Sequence, residues 1–443
     1  MLKSVIAVLM ISAALPALAE DVYPARLAGF AEIPALTLVP PPADAPRDAW
    51  ISGKFTGRTP NAIPMSAPAD TGRSYGAHPT GLSLPFIGQP FQGMSGFAMN
   101  RAEDGSIYAL TDNGFGAKAN SGDALLFFHK LHPDFANGVV ERRAHVFLHD
   151  PDRKVPFRIA YEGTDSRYLT GADFDPESIQ YQDDTIWLGD EFGPWIIKAS
   201  SDGRILDVFP TMLDGKVLSG PDTAGTVVPA QPGKDYRVQR SGGYEGMALQ
   251  PGTGLLWAML EKPLLTETGT EGDFLRVMTF DTGAEAWTGE SFRFRLGEGA
   301  VAIGDFNFID ETRALVIERD AGEGDAAAAC PEGGDSADCY PNPAMVKNIV
   351  LIDTAQRDAE GFMHRIGHVD LLRIEDPAEM TPHTVDGLFG FPFQTIEDVI
   401  RVDETHILVA NDNNLPFSGG REIGKAAGNE FILLDVQAFL AAR

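Results

Sequence analysis

The sequence is short of cysteine, histidine and positive charge, and each shortage narrows what the protein can be. Cys330 and Cys339 are its only cysteines in 443 residues, and no histidines stand beside them. Two thiolates alone leave a zinc tetrahedron half empty, so a zinc site there is not expected. Lysine and arginine number 35 against 63 acids, a formal net charge of −28. Nucleic-acid binding needs basic patches, so no nucleic-acid partner is expected. The same field would repel an anionic substrate unless bound cations invert it locally. Long apolar runs are scarce too: beyond residue 18 nothing is apolar enough to span a bilayer.

The one apolar run is N-terminal. Lys3 precedes an apolar stretch from Val5 to Leu18 that ends in Ala17-Leu18-Ala19, followed at once by Glu20-Asp21. A basic start, a short apolar centre and an A-x-A site make residues 1–19 a secretory signal peptide, cleaved after Ala19. The mature chain, residues 20–443, is expected to be soluble, periplasmic or secreted, and monomeric. In that compartment Cys330 and Cys339, which flank a short turn-rich loop, read as a disulfide.

Length alone would suggest two or three domains, but a repeat can fill it as one. Five segments share a pattern: a short group led by Ser, Glu or Gly, an alternating strand, a turn, and a second strand ending in polar residues. They begin at Ser95, Glu177, Glu245, Gly304 and Glu397 and end at Asp112, Asp190, Glu261, Glu318 and Asn411, distances of 17, 13, 16, 14 and 14 residues. Near-constant spacing fits a hairpin with a variable turn. Third strands follow at Leu125–Leu131, Trp195–Ser200, Phe274–Phe280, Asn348–Ile352 and Glu430–Leu434. Fourth strands appear at Arg143–Leu148, Ile205–Phe209, Ser291–Leu296 and His364–Val369. Four antiparallel strands repeated radially describe a β-propeller. The fifth unit lacks its fourth strand, and the unattached Ala25–Ile33 would complete it and close the ring. The expected fold is therefore a single all-β domain, a five-bladed propeller. A sixth, degenerate blade between Pro40 and Gly93 or in the longest gap stays open, as does a β-sandwich.

In such a fold the leading residue and the terminal polar group of each blade meet at one end of the channel. Ser95, Glu177, Glu245 and Glu397 would ring the mouth. Asp112, Asp190, Glu191, Glu261, Glu318, Asp320 and Asp412 would form the rim. So many carboxylates cannot all stay ionised together without a counter-charge. No histidine recurs at a repeated position, and carboxylates with a Ser hydroxyl suit calcium. Gly304 departs from the pattern, leaving Asp305 or a backbone carbonyl as the fourth unit's contribution. Lys262 and Arg319 interrupt the acids. Arg319 offers a fork suited to phosphate or carboxylate, and with Asn113 and Asn413 the two are candidate substrate contacts.

Several of these groups resemble the family described as esterase-like activity of phytase. They are the Ser-Gly-Phe at Ser95 with Leu110-Thr111-Asp112-Asn113-Gly114, Asp175-Pro176-Glu177-Ser178-Ile179, Tyr244-Glu245-Gly246-Met247-Ala248, Ile317-Glu318-Arg319-Asp320 and Val409-Ala410-Asn411-Asp412-Asn413. The resemblance runs from about Gly93 to Leu434 and implies an exported propeller. A more distant likeness to five-bladed calcium-activated nucleotidases implies Ser95, Glu177, Glu245 and Glu397 as calcium ligands.

Three functions are compatible with this reading. One is a calcium-dependent phosphoesterase for a small anionic ester, with Asp190, Glu191, Glu261, Asp112 or Asp412 as the catalytic acids. Another is a binding propeller with a structural ion, and a third is a metal-dependent lactonase or carboxyl-esterase. A serine esterase is set aside, because no Ser-His-Asp set is assignable and the strand-to-helix elbow is foreign to a propeller.

Overall fold

The computed structural model describes residues 20–56, 62–70, 78–112, 114–224, 236–332 and 338–443. The expected leader over residues 1–19 and the candidate contact Asn113 lie outside them.

The described chain is nearly all-β. Its long strands fall into consecutive antiparallel units. The first comprises Met94–Phe97, Ile107–Thr111, Phe127–Asp134 and Val139–Phe147. The second comprises Pro176–Gln182, Thr185–Asp190, Trp195–Ser200 and Ile205–Pro210. Tyr244–Leu249, Leu255–Leu260, Leu275–Asp281 and Ala286–Phe294 form the third. Ala302–Phe308, Arg313–Arg319, Lys347–Arg357 and Met363–Asp370 form the fourth. The fifth has Thr395–Arg401, His406–Asp412 and Asn429–Asp435. Arg26–Ile33 lies antiparallel to Asn429–Asp435, with Arg26 opposite Asp435 and Ile33 opposite Asn429. A shorter strand, Asp21–Tyr23, runs parallel to the outer strand of the fourth unit.

Burial explains why these residues make strands. The innermost strands bury every residue of Tyr244–Leu249 and Ala302–Phe308, whereas Arg26–Ile33 alternates buried and exposed positions, as a half-covered outer strand should. Each neighbouring pair of units shares an apolar cluster. Tyr108, Leu110 and Phe128 meet Ile179 and Leu188, and Trp187 and Ile196 meet Tyr244 and Met247. Trp257 meets Phe306 and Val316, Leu315 and Ile317 meet Ile396 and Val399, and Phe97 and Ala109 meet Ile400 and Phe431. The last cluster returns to the first unit, so the inner strands stand around a common centre in a nearly closed, barrel-like arrangement.

Between Pro40 and Gly93, the stretch where a sixth blade is possible from the sequence, the described strands are only two residues long and pair in twos. This segment instead bridges loops of the first and fifth units. Gln89 Nε2 donates to Asp123 O at 3.1 Å, and Thr80 Oγ1 donates to Pro416 O at 2.6 Å.

One irregularity recurs in every unit. The inner strand carries one residue more than its partner at the leading position: at Ser95-Gly96, Glu177, Glu245, Gly304-Asp305 and Glu397. A bulge re-aims the side chain it carries and interrupts the ladder locally. The repeated leading residues are thus the bulged ones.

Candidate functional site

Three bulge carboxylates gather with residues from the ends of the second strands. Oxygens of Asp175, Glu177 and Glu191 all lie within 4.8 Å of one another, and so do oxygens of Glu191, Glu245 and Glu261. Glu191 belongs to both groups. Arg319 closes the cluster from the fourth unit, its Nη2 lying 3.1 Å from Glu397 Oε1, 3.6 Å from Glu245 Oε1 and 3.7 Å from Glu261 Oε1. Lys262 Nζ pairs with Glu261 Oε2 at 2.9 Å and is also held by the carbonyls of Ser241 and Arg240.

The backbone approaches this cluster so closely that side chains are barred nearby. A Cβ on Gly243 would stand 2.0 Å from Glu191 O, and one on Gly304 would stand 1.9 Å from Ile396 O. Gly304 is therefore dictated by packing, and no ligand side chain fits at that position.

Electrostatics follow from burial. Two carboxylates at about 4 Å repel by roughly 4 kcal/mol where the effective dielectric constant is near 20, too much for five to stay ionised without compensation. Burial, reinforced by Asp175, Glu261 and Glu245, pushes Glu191 well above the ordinary carboxylate range. Burial and the neighbouring Glu261 do the same to Glu245, against the pull of Arg319. Glu177 and Glu397 are raised by burial and by the surrounding acids. Asp112 is raised by burial, then by Asp412 and Asp175. Burial and Glu397 push Asp412 up to about 8. Burial disfavours the Arg319 charge, but Glu397, Glu245 and Glu261 outweigh it and hold the guanidinium protonated.

Other expected residues stand elsewhere or are committed. Asp190 accepts from the backbone N–H groups of Asp175 at 2.9 Å and Gly193 at 2.6 Å, so it caps its own turn. Asp305 is not at the mouth: it accepts from Val399 N at 2.8 Å and Phe306 N at 2.7 Å. Ser95 Oγ donates to Gly93 O at 3.2 Å and joins neither carboxylate group. Asp112 Oδ1 accepts from Gly114 N at 2.8 Å, and Asp412 from Asn414 N at 2.5 Å and Thr395 Oγ1 at 3.2 Å. Asn413 bonds to Gly93 N and Ala427 O and is a structural tie. Glu318 and Asp320 leave the rim, because alternation along the strand turns them away from Arg319. Glu318 binds Arg365, and Asp320 binds Lys347.

Two residues at the mouth have no place in the repeat reading. Asp175 precedes the second unit's inner strand and completes one of the carboxylate groups. Lys118 donates to Asp222 O at 2.9 Å, sits 5.4 Å from the centre of the Phe192 ring, and senses the charges of Asp190, Asp173, Asp222 and Asp175. One match to the G-x-S-x-G spacing of serine esterases, Gly72-Arg73-Ser74-Tyr75-Gly76, lies outside the described residues.

The donor set of the two carboxylate groups is hard and all-oxygen, which fits a hard divalent cation such as calcium. Cys330 and Cys339 form a disulfide. Among the described residues no helix is long and apolar enough to cross a membrane.

No curated protein matches the sequence. Similar solved structures include a glutaminyl cyclase from Myxococcus xanthus, at 11% identity over 78% of this chain and 91% of that one, TM-score 0.35. An arabinanase from Bacillus subtilis is also 11% identical, over 78% of this chain and 94% of that one, TM-score 0.35. Neither activity carries over at such TM-scores. The sequence itself is more informative: over residues 89–415 it matches the phytase-like family described as esterase-like activity of phytase, and the chain belongs to that family.

Proposed function

We propose that the protein is an exported, calcium-dependent hydrolase that cleaves a small phosphate ester at the acidic mouth of a five-bladed propeller. Residues 1–19 would be removed, and residues 20–443 would form one domain closed by Arg26–Ile33, a reading the pairing with Asn429–Asp435 supports. The observation that carries the function is the convergence of Asp175, Glu177, Glu191, Glu245 and Glu261, with Glu191 common to both carboxylate groups. A bound calcium would polarise the ester and offset the surrounding negative charge.

Within this site Asp175, Glu177 and Glu191 would hold the ion. Glu261, at the outer side of the cluster beside Lys262, orients the attacking water and takes its proton. Lys262 and Lys118 draw the anionic group toward the mouth from two sides. Asp190, Asp112 and Asp412 shape the rim through their backbone hydrogen bonds.

A second reading, a lactonase or carboxyl-esterase, draws support from the excess of carboxylates over cations at the mouth, which favours a neutral ester. Hydrolysis of phosphomonoester, phosphodiester and carboxyl-ester reporters, with calcium added or chelated, decides between them. Calcium-dependent turnover of a phosphate ester supports the first reading, and turnover of the carboxyl ester alone replaces it with the second. Calcium binding without turnover of any reporter replaces both with a binding propeller.

A further inference from the structure

The fourth unit departs from the ring in two linked ways. Its bulge residue is Gly304, and a Cβ there would collide with Ile396 O at 1.9 Å. The next residue, Asp305, is turned onto the backbone of Val399. What the fourth unit sends to the centre is Arg319, from the end of its second strand. The Arg319 Nη2 lies within 3.7 Å of carboxylates from the third and fifth units. The Arg319 side chain is nearly buried, and its Nε has no hydrogen-bond acceptor among the described residues. Charge from three acids therefore sets the place of the guanidinium.

The carboxylate groups able to chelate an ion lie to one side of it. One is built on the second unit and the other reaches the third, while Ser95 and Glu397 belong to neither. Glu245 Oε1 is buried and has no hydrogen-bond donor, but it lies 3.6 Å from Arg319 Nη2, so the guanidinium is the cation that answers its charge. A divalent ion on the axis, between Glu245 and Glu397, would sit against the guanidinium and be repelled by it.

Building on the metal reading above, we propose that Arg319 is a resident cation filling the ring's fourth position. It confines the divalent ion to a single off-axis site made by Asp175, Glu177 and Glu191. Glu397 is then the partner of Arg319 and not a metal ligand. Arg319 sets the number of ions at one, by occupying with its own charge the place a second would take.

Calorimetric titration of calcium into the chelator-stripped mature protein, alongside its melting temperature, tests this. Wild type should bind one ion. Asp175→Asn and Glu191→Gln should each weaken binding by about 10- to 100-fold. Glu397→Gln should leave affinity within about threefold. Arg319→Gln, which frees Glu245, Glu261 and Glu397, should raise the count to two. Arg319→Lys keeps the charge and should hold the count at one, which covers the case in which Arg319→Gln fails to fold. A loss on Glu397→Gln as large as on Asp175→Asn overturns the inference, as does one ion in folded Arg319→Gln or two in Arg319→Lys. An absence of binding in wild type overturns the metal reading itself, and this inference with it.

Discussion

Gln180 and Asn307 meet at the centre of the ring, the Gln180 amide donating to Asn307 Oδ1 at 2.8 Å. Together they reach all five units. Gln180 also donates to Met247 O at 2.8 Å and accepts from Met99 N at 3.2 Å. Asn307 Nδ2 donates to Phe97 O and Val399 O, each at 3.0 Å. Both side chains are fully buried. Asn307→Leu keeps the branching pattern but takes the donor from two carbonyls and from Asp305 Oδ2, and leaves one of the two Gln180 N–H groups without an acceptor. At about 1–3 kcal/mol for each buried unsatisfied group, it should cost at least about 3 kcal/mol by chemical denaturation. A loss under about 0.5 kcal/mol, the scale of a neutral surface change, would contradict the pair's role.

Gly304 offers a second stability test. Gly304→Ala drives a Cβ against Ile396 O and should cost about 3 kcal/mol, as backbone overpacking does. Gly163→Ala, with nothing within 4 Å of the added Cβ, should stay within about 0.5 kcal/mol of wild type. Equal effects would show that the fourth bulge is not constrained by packing.

The acid cluster predicts how pH acts on metal-free protein. Glu191 and Glu245 are raised by burial and neighbouring acids, and Asp412 reaches about 8 by burial and Glu397. In the unfolded chain such groups lose their protons near pH 4 to 4.5. Folded-state values above unfolded ones mean stability that is complete at low pH and lost as pH rises toward about 8. With chelator present, this contribution makes the melting temperature fall from pH 5 to 8, and the shift produced by calcium should widen over the same range. Glu191→Gln should flatten both trends. A chelated wild type whose melting temperature rises over that range would contradict the assignment.

The disulfide lies away from the proposed ligands. The chain on either side of it is fastened to the fifth unit, where Tyr340 donates to Gly419 O at 3.1 Å and Ser418 bonds to Glu323. Replacing both Cys330 and Cys339 by alanine should lower stability by about 2–3 kcal/mol, as expected for so short a closed loop. Calcium affinity should stay within about threefold of wild type. Mass spectrometry of the exported protein should show loss of residues 1–19 and two fewer hydrogens. Intact residues 1–19 or two alkylatable thiols would contradict export and oxidation.

Much of the repeat was legible because its signal is local: an apolar alternation of period two, led by Ser, Glu or Gly and closed by polar residues. The bulges were legible only as those leading residues, since pairing registers are not written in one strand. Orientation was harder to read. Glu318, Arg319 and Asp320 look equivalent in a row, yet strand alternation sends only Arg319 to the cluster and leaves its neighbours to Arg365 and Lys347. Asp305 differs from Gly304 by one position, and that step turns it onto the Val399 amide. Asp190 reads as a rim acid, but the turn at Gly193 brings one N–H group onto it and the neighbouring inner strand brings another, from Asp175. Asp175 and Lys118 occupy no repeated position, so the spacing of the units does not single them out. Each is placed by a loop that only the assembled ring brings to the mouth.

Anomalous scattering from calcium-soaked crystals locates the ion and counts it at the same time. One peak is expected off the ring axis, about 2.3–2.6 Å from carboxylate oxygens of Asp175, Glu177 and Glu191, with Arg319 still paired to Glu397. A peak on the axis between Ser95 and Glu397, or no peak at the mouth in crystals grown with calcium, would contradict it.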